Sequence, residues 1–322
     1  MDQLTATLLS APVLFFVLGG LAAAARSDLA IPETIAKAMS IYLMVAIGLK
    51  GGVEVASAGI TGELLKALGA GLAFSALVPL AVAPVLRGIG KLDRINSGAI
   101  AAHYGSVSVV TFVTASQIFN NSGFAVAGFM IAVLAVMETP AILSGLFVAR
   151  NSSTGSVFDN SLFKEVLFNG SVVLLIGSFM IGVAIGPGGY APVKPVFTTG
   201  FTGILCLFLL DMGLIAVRRI LQTRSLTLRL IVLAVVFPIV NGTLGVLVGT
   251  LIGLDAASAA AFGILAASAS YIAVPAAMRI SLPQADAGLY LAMSLGVTFP
   301  FNIIFGIPLF RSLAESFGSL AW

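Results

Sequence analysis

The sequence predicts an all-α integral membrane protein. It has ten transmembrane helices in a five-plus-five inverted repeat, with the fourth and ninth helices interrupted. Three observations predict this. First, the 322 residues are 59% hydrophobic and only 9% charged, against about 25% charged in a soluble domain. Such a chain cannot cover a surface that faces water. Second, its apolar runs approach the ~20 residues of a spanning helix and lack the period-two alternation of barrel strands. Third, the chain aligns with itself.

Ten apolar segments follow in order, parted by turn and charge signals. The first is 10–25. The stretch before it, "MDQLTATLLS", has no Lys or Arg and holds an Asp, so it opens a spanning helix and not a secretory leader. Segment 33–49 comes after "RSDLAIP" (26–32), and 65–86 ends at "RGIGKLDR" (87–94). Segments 95–117 and 124–149 are separated by "NNSG" (120–123). The second half holds 166–185, 196–217, 228–252, 256–278 and 286–311. Its punctuation is "GPGGYAP" (186–192), "RRILQTR" (218–224) and "SLPQAD" (281–286). Residues 1–150 are thus the first repeat, 151–165 a short cytoplasmic linker and 166–322 the second repeat.

The self-alignment runs without a gap from "LDRINSGAIAAHYGSVSVVTF" (92–112) to "LDAASAAAFGILAASASYIAV" (254–274). Ser106 falls on Ser268 and Ser108 on Ser270. "AGFMIAVLAVMETPAI" (127–142) falls on "AGLYLAMSLGVTFPFN" (287–302), which places Pro140 on Pro300. Pro79 and Pro238 take similar places in the third segment of each half.

Basic residues set the orientation. Assigned to alternate sides of the ten segments, eleven fall on one side, among them Arg26, Arg87, Lys91, Arg94, Arg150, Lys164 and Arg218 to Arg229. The other side has four: Lys50, Lys66, Lys194 and Arg311. By the positive-inside rule the eleven face the cytoplasm, so both termini lie outside a cytoplasmic (inner) membrane. Five helices per half then insert the two halves upside down relative to each other. That symmetry marks many secondary transporters, whose sites lie at the midplane where helices of both repeats are interrupted.

The fourth helix of each half is the candidate. Gly105, Ser106 and Ser108 fall in mid-segment. In "AASASYIAVP" (266–275), Pro275 removes a helix hydrogen bond and weakens the turn before it. Unwound backbone exposes N–H groups, and helix N-termini carry the positive dipole end. Two such breaks face to face can hold a small planar anion such as bicarbonate without a buried Arg or Lys. The competing reading is packing, since small residues let membrane helices approach closely. Ionisable residues inside a membrane are functional candidates by default. Glu138, Thr139, Thr298 and Asn302 offer hard oxygens for a coupling cation such as Na⁺, and Asn241 and Asp211 are further in-membrane candidates. Against this, Glu138 can be a protonated, hydrogen-bonded group. His103 reads as a packed histidine rather than a proton relay, Tyr104 and Tyr271 as lining the cavity or packing, Phe299 and Phe301 as core or gate, and Trp322 as an interfacial anchor.

Other function classes have no support. The net charge of +3 is topology information, and no basic-aromatic pattern suggests nucleic acid. Metal-ligand spacing, a phosphate loop and a nucleophile–base constellation are all missing, so neither an enzyme nor a transition-metal site is expected. The single Cys206 can form no disulfide within the chain.

Four stretches resemble the SbtA-type sodium-dependent bicarbonate transporters: "IPETIAKAMSIYLMVAIGLKGGVEV" (31–55), "GSVSVVTFVTAS" (105–116), "METPAIL" (137–143) and "SLGVTFPFNIIFGIPLF" (294–310). The resemblance covers nearly the whole chain. It implies Na⁺-coupled bicarbonate uptake, with substrate contacts on Gly105, Ser106, Val107 and Ser108 and on Ser268, Ala269, Ser270 and Tyr271. It also implies a homotrimer and, for some members, a PII-like regulator at the cytoplasmic face. Cyanobacterial members have a "GAVSGSTM"-like stretch where this chain has Val109 and Val110, and better-known members carry a longer link between the halves. The expected function is a Na⁺-coupled bicarbonate symporter. The alternatives are a Na⁺- or H⁺-coupled carrier of another small organic anion, and a non-transporting membrane sensor of the same fold.

Overall fold

A computed structural model describes Thr5 and residues 8–59, 61–149 and 170–320. The 151–165 linker, Arg150, Lys164 and Trp322 lie outside the described residues. No strand occurs among the described residues. The first half holds α1 (Ala11–Ala24), α2 (Glu33–Ala58), α3 (Gly62–Gly88), α4 (Arg94–Gly105), α5 (Val109–Asn121), α6 (Met130–Val136) and α7 (Glu138–Ala149). The second half holds α8 (Gly170–Tyr190), α9 (Phe201–Gln222), α10 (Leu228–Leu251), α11 (Ala256–Ala267), α12 (Ala273–Ser281) and α13 (Ala287–Leu291). Past α13 the chain alternates wide i→i+5 turns (Ala292–Thr298, Asn302–Gly306) with α14 (Phe299–Phe301), then ends in α15 (Ile307–Leu320).

Eight helical stretches are long and apolar enough to cross a membrane among the described residues, and Ala11–Ala24 and Ala256–Ala267 are shorter apolar helices. These two fall in the first and ninth expected spans. A fourteen-residue α1 rises about 21 Å, short of the ~30 Å hydrocarbon layer. The ninth span is short because it breaks after Ala267.

Lipid explains what the surface exposes. Leu228, Val232, Val236 and Ile239 form one outward stripe on α10, and Leu14, Leu18 and Leu21 another on α1. A water-facing protein does not carry such stripes. The interior belongs to the broken segment α4–α5, which is buried from Ser97 to Ala115.

The helices start where local chemistry allows. Asp93 caps α4 by accepting the Asn96 N–H at 2.9 Å, and Asp255 caps α11 by accepting the Ser258 N–H at 3.0 Å. Both helices are twelve residues long and stop just before a serine, Ser106 in one and Ser268 in the other. Close crossings then join the halves. α1 lies against α9, and α2 against α8. A Cβ on Gly52 would run into the Phe179 carbonyl, and one on Gly213 into the Phe16 carbonyl. Only glycine permits these approaches, as is common between membrane helices. Within each half the third, fourth and fifth segments pack as a group: α3 with α4 and α7, and α10 with α11 and α15.

Candidate functional site

Prolines prepare the site. Pro238 has no N–H to give the carbonyl four residues back, Ala234. The Thr298 hydroxyl donates to that oxygen instead, at 2.6 Å, and pairs with the Tyr104 hydroxyl at 2.7 Å. Pro79 stands in the matching place on α3, with Ser75 four residues before it. The Ser75 hydroxyl donates to the Met137 carbonyl and accepts the Ala141 N–H at 3.1 Å. It thus inserts between the two ends of one helical hydrogen bond, which parts α6 from α7 at Met137. Pro140 assists, since it leaves the Val136 carbonyl without its usual donor. Glu138 begins α7 at this break.

The fourth segment breaks at 106–108. Ser106 caps the end of α4 in extended backbone, and Ser108 restarts the chain as the N-cap of α5, its hydroxyl accepting the Thr111 N–H at 3.2 Å. The ninth segment breaks at 268–272, and α12 starts at Ala273. Pro275 is the third residue of α12. The first turn of a helix has no internal acceptor for its N–H groups, so the proline costs nothing there.

The two breaks touch. Ser108 N–H donates to Ser268 Oγ at 2.9 Å, and Ser270 N–H donates to the His103 carbonyl at 2.9 Å. Between them lies a buried cavity lined by Val107, Ser108 and Val109 from one break and by Ser270, Tyr271 and Ile272 from the other, with Met44 and Glu138. The N-terminal ends of α5 and α12 therefore both face it. Glu138 is 2% exposed and its Oε2 has no partner among the described residues. The cavity offers ≈ 10 Å³ to the centre of a water, room for about one such molecule.

The expected residues divide. Val107, Ser108, Ser270 and Tyr271 line the cavity; Gly105, Ser106, Ser268 and Ala269 do not. Gly105 is set by packing, because a Cβ there would meet the Pro79 ring. Ser268 is spent on the Leu265 carbonyl and the Ser108 amide. Ser106 is buried, with its hydroxyl unpartnered among the described residues. Of the six cation candidates only Glu138 lines this cavity. Thr139 is half-buried beside it. Thr298 is held by α10 as above, and Asn302 Nδ2 donates to the Ala267 carbonyl at 2.9 Å, leaving Oδ1 without a partner. Asn241 on α10 and Asp211 on α9 are buried, each with one unpartnered side-chain atom. No group of three His, Cys, Asp or Glu gathers among the described residues. His103 is packed, its Nδ1 2.7 Å from the Ala99 carbonyl and its ring stacked on Tyr290. Phe299 packs edge-on against Phe16 and Tyr271.

Ser75 and Met44 escaped the sequence reading. Ser75 had a signal, its place four residues before an aligned proline. Met44 had none, because nothing separates it from other apolar residues of α2.

A chain of lipid-facing helices that closes two helix breaks around a buried cavity holding one carboxylate is built as a multi-pass membrane transporter. It belongs to the Na⁺-dependent bicarbonate transporter superfamily, whose family pattern matches residues 11–315. No curated protein matches it.

Proposed function

We propose that this protein is a symporter that imports bicarbonate with Na⁺ across the cytoplasmic membrane by alternating access, and that it is not an enzyme. The observation that carries the reading is the cavity shared by two helix N-terminal ends and one carboxylate. The positive ends of α5 and α12 suit a small anion, and Glu138 with Thr139 suits a small hard cation. Each ion offsets the charge of the other. Neither charge is stable alone in a buried site, so joint binding favours coupled transport. Ser108, Ser270 and Tyr271 flank the anion, with Gly105, Ser106, Val107, Ser268 and Ala269 shaping the breaks. The cavity has room for about one water, so the breaks must part to admit bicarbonate.

The inverted repeat is part of the proposal. Support comes from the equal lengths of α4 and α11, their matching Asp caps and Ser ends, and the helix pairing. Exchange of the halves turns the α1–α9 contact into the α8–α2 contact, and both are present. It likewise turns α5–α11 into α12–α4. The basic-residue bias supports both termini outside. Val109, Ile272 and Met44 make part of the cavity wall apolar, which favours a small carboxylate as the second reading.

The test is uptake of labelled bicarbonate into proteoliposomes, with and without an inward Na⁺ gradient at constant pH. Accumulation that requires Na⁺ is expected. Flux of another small anion under the same gradient would move the substrate and keep the mechanism. Bicarbonate uptake indifferent to Na⁺ would refute symport.

A further inference from the structure

A roomier cavity lies away from the helix breaks. It offers ≈ 50 Å³ to the centre of a water, room for several. Lys50 is the only charged residue in its wall, joined by Ser116, Gln117, Asn120 and Thr198. A third, apolar cavity lies between α2 and α5, walled by Ser40, Met44, Val109, Val113, Phe208 and others. It shares Met44, Val109 and Ile272 with the cavity at the breaks. It shares Val113 with the cavity at Lys50. Three hollows therefore lie in series along one seam. On α2 the seam runs through residues 40, 43, 44, 47 and 50, and on α5 through 109, 110, 113, 117 and 120. Both sets follow helical spacing, and both numbers climb together toward Lys50. An apolar waist separates Lys50 at one end of the seam from Glu138 at the other.

We propose that the seam between α2 and α5 is the route to the buried cavity, and that Lys50 at its wide end is a recruiting site for small monovalent anions. The site rests on the transporter reading, and under the topology above its wide end faces outside. A lysine is a compact point charge on a flexible stem, suited to passing an ion on and not to gripping it. Glu54, one turn further along α2, feels the charge of Lys50, but its carboxylate takes a hydrogen bond from the Gly128 backbone. Glu54 is not in the cavity wall, so Lys50 is the one charge that lines it among the described residues. Ser116 adds a hydroxyl without a partner among the described residues. One positive charge in a walled cleft raises the local anion concentration and so acts on KM and not on turnover.

Two measurements on the full-length protein test this. The first is uptake kinetics at low ionic strength. Lys50→Gln should raise the KM for bicarbonate about fivefold, the effect of one charge at contact in water, with Vmax kept and Lys50→Arg restoring KM. The rise should fade in high salt. The second needs no transport. Thr198→Cys places a thiol on the rim of the same cavity, with the unsubstituted protein, whose Cys206 is buried, as the blank. A negatively charged thiosulfonate reagent should react faster than a positively charged one, and Lys50→Gln should abolish the preference. Equal rates with both reagents would overturn the recruiting site even if uptake is intact. A charge preference without bicarbonate flux would support Lys50 and fault the substrate instead.

Discussion

Glu138 shows what a single residue reveals in advance. An acid in a long apolar run is costly, so its position alone marks it. The structure puts its carboxylate on the wall of the cavity between the breaks. Glu138→Gln keeps the shape and removes the charge. The Na⁺ concentration for half-maximal uptake should rise about tenfold, as expected when a hydrogen bond to a charged group is lost. A Na⁺ titration of uptake in proteoliposomes checks this, and an unchanged midpoint would remove Glu138 from the cation site. Thr298 and Asn302 show the limit of reading residues singly. Both carry oxygens, but their donors serve the Ala234 and Ala267 carbonyls. The helix end and the proline that leave those carbonyls open sit far away in sequence.

At the scale of elements, the breaks in the fourth and ninth segments were legible, since glycine and serine interrupt apolar runs there; Pro275, expected to weaken the turn before it, instead sits in the first turn of α12. The break in the fifth segment was half-legible. Pro140 stood in the sequence, but the Ser75 hydroxyl that completes it comes from another helix. Ser75→Ala leaves the Met137 carbonyl and Ala141 N–H to find each other across a parted turn. It should destabilise the protein by about 1–3 kcal/mol, read as a lower melting temperature in detergent. An unshifted melt would mean that the turn recloses on its own. The cap of α4 gives a pH test. Partial burial pushes the Asp93 carboxyl up, but hydrogen bonds from the Asn96 backbone and side chain, and from Ile95, hold it below the ordinary aspartate value. A depressed pKa means that the cap contributes fully above the unfolded value of about 3.9. The contribution is lost as pH falls through the lower folded value. Asp93→Asn keeps a capping side chain and removes the titration. Melts recorded from pH 6 downward should therefore diverge between parent and variant only in the acid range.

At the scale of the molecule, composition alone announced a membrane protein, and the internal alignment is what suggests the duplication proposed above. Which helix would cross which was not legible, because lipid leaves no hydrophobic signal between one apolar face and another. The crossings depend on glycines whose partners are backbone atoms of the other half. Gly52→Val and Gly213→Val each force a side chain into a carbonyl across the α2–α8 and α1–α9 contacts. Both should destabilise by at least the ~1–3 kcal/mol of an overpacked core. Size-exclusion profiles after mild heating should show less monodisperse protein for both variants. A loss confined to one would argue against equivalent contacts.

The hydrogen bonds that join the two breaks have a cost for any passing ion. Ser108 gives its amide to Ser268 and Ser270 gives its own to His103, so each half holds a donor of the other. An N–H in a dry site serves one acceptor at a time. On the proposed reading, an anion that takes either amide must unfasten a bond between the halves. Capture and unlocking then become one event. A carrier with nothing to carry stays buttoned, and the cell's ion gradients do not drain through idle copies.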